Sequence, residues 1–316
     1  MAQSFYKRIA QKIVKDNTLL LHLVKRQQLS GHPFKAIALT LCTVPVRNLI
    51  RLDTPFNFYI SENYYAELYN LLKIAKVEGF ELTRIGREHD GGYILLDDFH
   101  DGGIAYSFGI SDDVSWDKDI ASRGYDVFMY DHTINGLPEE NSRFHWSKLG
   151  IADGITQDER LKTLEELISQ NHHEDKRNMI LKMDVEGAEW GFLSAVSPEI
   201  LKQFDQMTFE FHKITNPENP DLLLKALRNI NRTHQLIHIH PNNFGETITV
   251  GQKKFTRCIE ASYVLRDKYK FSKDDNIILP LKLDSPCLHF MPEIELGRWN
   301  DSSGSFDRAS INIMDL

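Results

Sequence analysis

"MILKMDVEGAEW", residues 179–190, is the stretch that decides the fold. It opens as a short apolar run interrupted only by Lys182, then places Asp184, Glu186 and Glu189 within six residues. A short apolar run ending at a turn signal reads as a strand buried on both faces, the kind found inside parallel sheets. Carboxylates at the end of such a strand raise a functional question, because open α/β sheets bind their ligands beyond the carboxyl ends of the strands.

Working outward, the same texture repeats. "GIAYSFG" (103–109), "YDVFMYD" (125–131), "FHWSKLGI" (144–151), "QMTFEFH" (206–212), "HQLIHIH" (234–240) and "CIEASYVLR" (258–266) read as further strands. Between them, "SWDKDIASRG", "DERLKTLEELISQ" (158–170), "EWGFLSAV" and "DLLLKALRNI" read as helices, as does "SENYYAELYNLLKIAKVEGF" from Ser61 to its stop at Gly79. Strands alternating with helices predict an α/β, doubly wound, Rossmann-like and mostly parallel sheet. We place an N-terminal helical appendage and connector at 1–80, the catalytic domain at 81–298 and a polar tail at 299–316.

Composition restricts the partners. The 316 residues are 41% hydrophobic and 26% charged with a net charge of −8, ordinary for a globular protein and unsuited to nucleic acid as the main partner. Cys42, Cys258 and Cys287 are sparse and form no CxxC, which predicts a reduced, cytoplasmic protein. "AIALTLCTVPV" (36–46) is too short to span a bilayer. Residues 1–30 carry six basic side chains against Asp16 alone, with Phe5, Ile9, Ile13 and Val24 near helical spacing. This amphipathic basic helix is expected to pack on the core or on a second subunit of a homo-oligomer; weak contact with an anionic membrane surface is the alternative.

The polar residues collect at strand ends. Gly109 and Ser111 follow the first strand, Asp131 and His132 the second, Asp153 the third, Asp184 the fourth, Glu210 and His212 the fifth, and His240 the sixth. Asp131 lies 22 residues beyond Gly109, the spacing at which an acid reaches a ribose diol over the first turn. The turn "FGISDDVSWD" is not GxGxxG, and Asp112 and Asp113 would repel a pyrophosphate. A sulfonium cofactor, positive and phosphate-free, tolerates it, which points to S-adenosylmethionine over a dinucleotide. "HDGGY" (89–93) reads as a turn able to cover the cofactor, and "HHED" (172–175) as solvated loop.

"LKMDVEGAEW" resembles the signature of the FkbM-type methyltransferases, and "FEFH" (209–212) is similar to their next strand. "RIGREHDGGYILLDD" (84–98) and "YSFGISDDVSWD" (106–117) resemble a bacterial branch found near surface-polysaccharide genes; Ser111 stands where the commoner pattern has glycine. The resemblance covers about residues 82–296. It implies O-methylation of a sugar hydroxyl on a nucleotide-activated, capsule or lipopolysaccharide sugar. We assign Gly109, Ser111, Asp131, His132, Asp153 and Asp184 to the cofactor, Glu186, Asn242 and Asn243 to the acceptor, and His212, Asp184 and His240 to catalysis. Glu189 reads as structural. Asp184, Glu210 and His212 form either an acid–base set or a site for Mg²⁺, Mn²⁺ or Fe²⁺. The competing readings are a nucleotide-sugar-binding oxidoreductase or transferase, which lacks its phosphate-cradling glycines, and a non-catalytic binding protein.

Overall fold

The computed structural model describes residues 62–301 apart from residue 155. The basic segment 1–30, the connector and the residues after 301 lie outside the described residues, with the expectations placed on them. The central sheet has seven strands: β1 Ile104–Phe108, β2 Asp126–Tyr130, β3 Phe144–Ser147, β4 Met179–Met183, β5 Phe204–Phe211, β6 His234–Pro241 and β7 Ile259–Leu265. Their order is β6-β7-β5-β4-β1-β2-β3. Five strands, from β5 through β4, β1 and β2 to β3, run parallel; β7 lies antiparallel between β5 and β6. This is an α/β fold with a mostly parallel sheet. Chain order runs outward from β1 through β2 and β3 on one side and from β4 to β5 on the other, where β7 then inserts ahead of β6. A crevice beyond the carboxyl ends of β1 and β4 is where such a reversal of strand order places a ligand in open α/β sheets.

Both faces of the sheet are covered, which explains why its central strands lack alternation. Every residue of β4 and β5 is buried. On one face Tyr106, Phe108, Leu181 and Met183 meet Leu68 of α1 (Glu62–Leu71), Leu167 of α3 (Leu164–Gln170), Phe192 of α4 (Glu189–Ala195) and Leu227 of α6 (Pro220–Ile230). On the other, Ala105, Val127, Met129 and Ile180 meet Trp116 and Ile120 of α2 (Ser115–Ser122), together with Ile85 and Tyr93 of an outer hairpin. The shortest helix, α5, is Pro198–Leu201.

Local pattern loses to tertiary context in four places. The helix expected from Ser61 to Gly79 stops at Leu71, and Ala75–Val77 pairs with Phe271–Lys273. Asn300 enforces the break by clasping both backbone groups of Ile74. The strand expected over 144–151 ends at Ser147, and Gly150–Ile151 pairs separately with Leu161–Lys162. The helix expected from residue 158 consequently begins at Leu164, where Thr163 and Glu166 form a capping box. "HHED" is not wholly solvated: His173 is buried and its Nδ1 lies 2.8 Å from the Tyr106 hydroxyl. Residues expected outside the catalytic domain, Leu68, Tyr69 and Trp299 among them, pack into the main core. Among the described residues no helix is long and apolar enough to cross a membrane.

Candidate active site at the carboxyl edge of the sheet

The ends of β1 and β4 touch. Asp184 N donates to Phe108 O at 3.0 Å, and a Cβ built on Gly109 would overlap the Asp184 carbonyl oxygen. Gly109 has φ +79°, so both conformation and contact demand glycine. Ser111 is also left-handed, at φ +51°, which accounts for glycine being usual there and leaves the serine backbone strained.

Asp131 fastens this turn. One carboxylate oxygen accepts from Ile110 N at 3.0 Å and Ser111 N at 2.9 Å; the other accepts from Thr133 N at 2.8 Å and Thr133 Oγ1 at 2.6 Å. Burial alone would raise the Asp131 pKa, but these bonds to the ionised form hold it below the usual carboxylate value. With about four acceptor positions on a carboxylate, all are used within the protein. Asp131, expected to hold a ribose, is engaged here in shaping the turn.

The acidic turn is also partly neutralised. Asp113 accepts from Ser115 N and Oγ and lies 3.4 Å from Arg87, whose backbone N donates to Ser115 Oγ. The "HDGGY" turn thus lies against the start of α2, where a Cβ on Gly91 would strike Asp113. Gly91 is left-handed at φ +92°; Gly92 is not among the positive-φ residues.

Across the crevice, β4 and β5 bring Asp184, Glu210 and His212 together. His212 Nε2 lies 3.8 Å from Asp184, 3.7 Å from Glu210 and 3.7 Å from Glu186. The ring is aimed by Glu189, which is fully buried. One Glu189 oxygen accepts from His212 N at 2.8 Å and Nδ1 at 3.2 Å, while the other accepts from Gly187 N at 2.8 Å. Trp190 Nε1 donates to His212 O, tying the strand end to α4. Burial would lower the His212 pKa, but the Glu189 hydrogen bond and the charges of Glu210, Glu189 and Asp184 push it up to about 10. That shift favours the imidazolium form, in which both ring nitrogens donate.

Glu210 is buried, and burial with the neighbouring Asp184 raises its pKa well above the usual value. Its Oε1 accepts from Asn242 Nδ2 at 2.8 Å and the Cys258 thiol at 3.1 Å. Burial, then Glu210, keeps that thiol protonated. Tyr93 completes the wall, its hydroxyl 3.4 Å from Asp184. Cys258, Tyr93 and the orienting role of Glu189 were missed in the sequence. Cys258 arrives only because β7 inserts beside β5, opposing Ile259 to Phe211. For Glu189 the signal was present, a third acid five residues after Asp184.

Other assigned residues lie elsewhere. His240, assigned to catalysis, is buried and held between Glu260 and Glu293, each 3.2 Å from one ring nitrogen. Asn243 is spent on the 288–292 segment, donating to Leu288, Met291 and Pro292 carbonyls and accepting from Leu288 N. Asn242 reaches the cluster only through Glu210. His132 is half-buried against Gly150, and Asp153 is exposed beside Gly191 of α4. Glu186, left-handed at φ +58°, presents an exposed carboxylate at the mouth.

Residues 103–242 match the family model of the methyltransferase FkbM domain. That stretch holds β1 to β6 and, of the residues around His212, leaves out Cys258 and Tyr93. No curated protein matches the sequence significantly. Among solved structures, a chain titled "Putative hemolysin from Streptococcus thermophilus" aligns over 56% of this chain and 72% of its own, with 11% identity and a TM-score of 0.30. That score is too low to argue from.

Proposed function

We propose that the methyltransferase domain uses S-adenosylmethionine to methylate a sugar hydroxyl, on a sheet wound in both directions from the β1–β4 crevice. The observation that carries this reading is the first turn. It is fixed by Asp131, carries no phosphate cradle, and abuts the Asp184 backbone, so a cofactor on the turn lies next to the His212 cluster. When bound, the cofactor supplies a methyl group on a positively charged sulfur, and the carboxylates across the crevice suit that charge.

The chain's own part is to position the acceptor and take its proton. A sugar hydroxyl is a weak nucleophile and needs a base beside it. Asp184 takes the hydroxyl proton as the oxygen–methyl bond forms and the methyl–sulfur bond breaks, and the adjacent His212 steadies the negative charge that develops on the hydroxyl oxygen. Glu186 at the mouth hydrogen-bonds the sugar. Isothermal titration with S-adenosylhomocysteine, NAD and nucleotide sugars, followed by methyl-transfer assays on nucleotide sugars and free glycosides, tests the proposal. Binding of NAD instead of S-adenosylhomocysteine, or turnover only on protein or lipid, overturns it.

A metal-assisted version is favoured by one observation: ligand atoms of Glu210, His212 and Cys258 lie within 4.8 Å of one another. A thiol among the ligands suits zinc or Fe²⁺ better than Mg²⁺, and the ion's charge would displace the protons now held there. In that version EDTA abolishes turnover and the metal restores it; without a metal, EDTA has no effect.

A further inference from the structure

The first turn has a second support that the chemistry above does not use. Lys182 sits in the middle of β4, opposite Ser107 of β1, and is 5% exposed. Its ammonium donates to Gly109 O at 3.0 Å and lies 5.7 Å from the centre of the Tyr93 ring. Beneath it, Asp117 in the first turn of α2 is 1% exposed, and neither of its oxygens has a hydrogen-bond partner among the described residues. The Ser107 hydroxyl of β1 is the polar group that acts on Asp117 from the sheet. Lys182 is the cation that acts on this buried carboxylate. Burial raises the Asp117 pKa and the Lys182 charge opposes that rise, with no direct ion pair between the two among the described residues. Such an arrangement adds little stability over well-packed apolar residues, whereas losing one member leaves the other uncompensated.

What Lys182 does have is a direction. Gly109 N is held by Tyr130 O, and Ile110 N and Ser111 N by Asp131. Among the described residues the hydrogen bond to Gly109 O comes from Lys182. Without that bond the Gly109–Ile110 peptide is held only at its Ile110 N–H, by Asp131, and glycine offers little resistance to its tilting.

We infer that Lys182 is a positioning residue for the cofactor: it locks the Gly109 carbonyl and thereby the orientation of the Ile110 and Ser111 amides. The inference rests on the proposal that the cofactor binds over this turn. The test compares wild-type chain, Lys182→Met, and the double variant Lys182→Met/Asp117→Leu, measuring melting temperature and S-adenosylhomocysteine affinity. Lys182→Met strands Asp117 and lowers both. The double variant removes both groups, so it recovers most of the melting temperature while its affinity stays down about tenfold, the scale of one lost charged hydrogen bond. A double variant with wild-type affinity overturns the inference. Should it not fold, hydrogen exchange at the Ile110 and Ser111 amides of Lys182→Gln decides: protection falls if Lys182 locks the turn, and unchanged protection refutes it. Failure of the wild-type chain to bind S-adenosylhomocysteine would instead count against the cofactor reading, and the exchange measurement would still judge Lys182.

Discussion

Glu189→Gln is the perturbation that most directly probes how the cluster is held. The substitution keeps shape and removes charge. In the native arrangement one oxygen takes His212 N and Nδ1 and the other takes Gly187 N. A glutamine oxygen can still serve His212, but its amide then points a donor at the Gly187 donor. Leaving a buried donor unmet costs about 1–3 kcal/mol, and changing two charge-assisted bonds to neutral ones costs about 1 kcal/mol each. Gly187 is only half-buried, so water recovers part of the first amount. A net loss of about 2–4 kcal/mol follows, which for a domain of this size lowers the melting temperature by roughly 5–15 °C. Thermal melts of Glu189→Gln and of the control Glu199→Gln measure this; Glu199 is 80% exposed and its removal should leave melting unchanged. A cycle with His212→Asn adds specificity, since residues in contact couple by about 0.5–3 kcal/mol. Melting of Glu189→Gln within about 1 °C of wild type, a shift below the smallest predicted loss, would refute the reasoning, as would strict additivity with His212→Asn.

Three further outcomes are expected. Asp131→Ala frees the Ile110 and Ser111 amides and should weaken S-adenosylhomocysteine binding by about 1–3 kcal/mol; calorimetry showing unchanged affinity removes Asp131 from any role in the turn's function. Gly109→Ala forces a side chain against the Asp184 carbonyl in a left-handed conformation, so binding should vanish with a clear drop in melting temperature, and a variant that binds normally contradicts the β1–β4 contact. Two buried histidines should titrate with opposite sign. Burial holds His234, hydrogen-bonded to Thr233 and the Phe204 carbonyl, down at about 4. The unfolded chain therefore takes up that proton first, and stability falls as pH drops from about 6.5 to about 4, by up to about 3 kcal/mol. At His240 burial is outweighed by Glu260 and Glu293, which push the pKa up to about 10. Its contribution is full below about 6.5 and fades as pH rises through about 10. Urea midpoints against pH should show the acid slope flattened in His234→Gln and the alkaline slope flattened in His240→Gln; slopes identical to wild type would discard these assignments.

The sequence by itself determined the sheet and the chemistry at its rim. Continuous apolar runs ending in Gly109, Asp131, Asp184 and His212 could only be buried parallel strands with polar carboxyl ends, because period and burial are local properties of the chain. The family signature likewise lies within one strand and its following turn. Tertiary structure decided which rim residues share a space. Asp131, Asn243 and His240 carry the same local signal as Asp184 and His212, yet each is consumed by a partner distant in sequence: the first turn, the 288–292 segment, and the pair Glu260 and Glu293. Insertion of β7 antiparallel beside β5 brought Cys258 to Glu210, and no periodicity encodes which strand pairs with which. Lys182 and Asp117 look like ordinary charges in the sequence; only the closure of α2 over β1 and β4 buries them together, because burial is a property of the assembled layers.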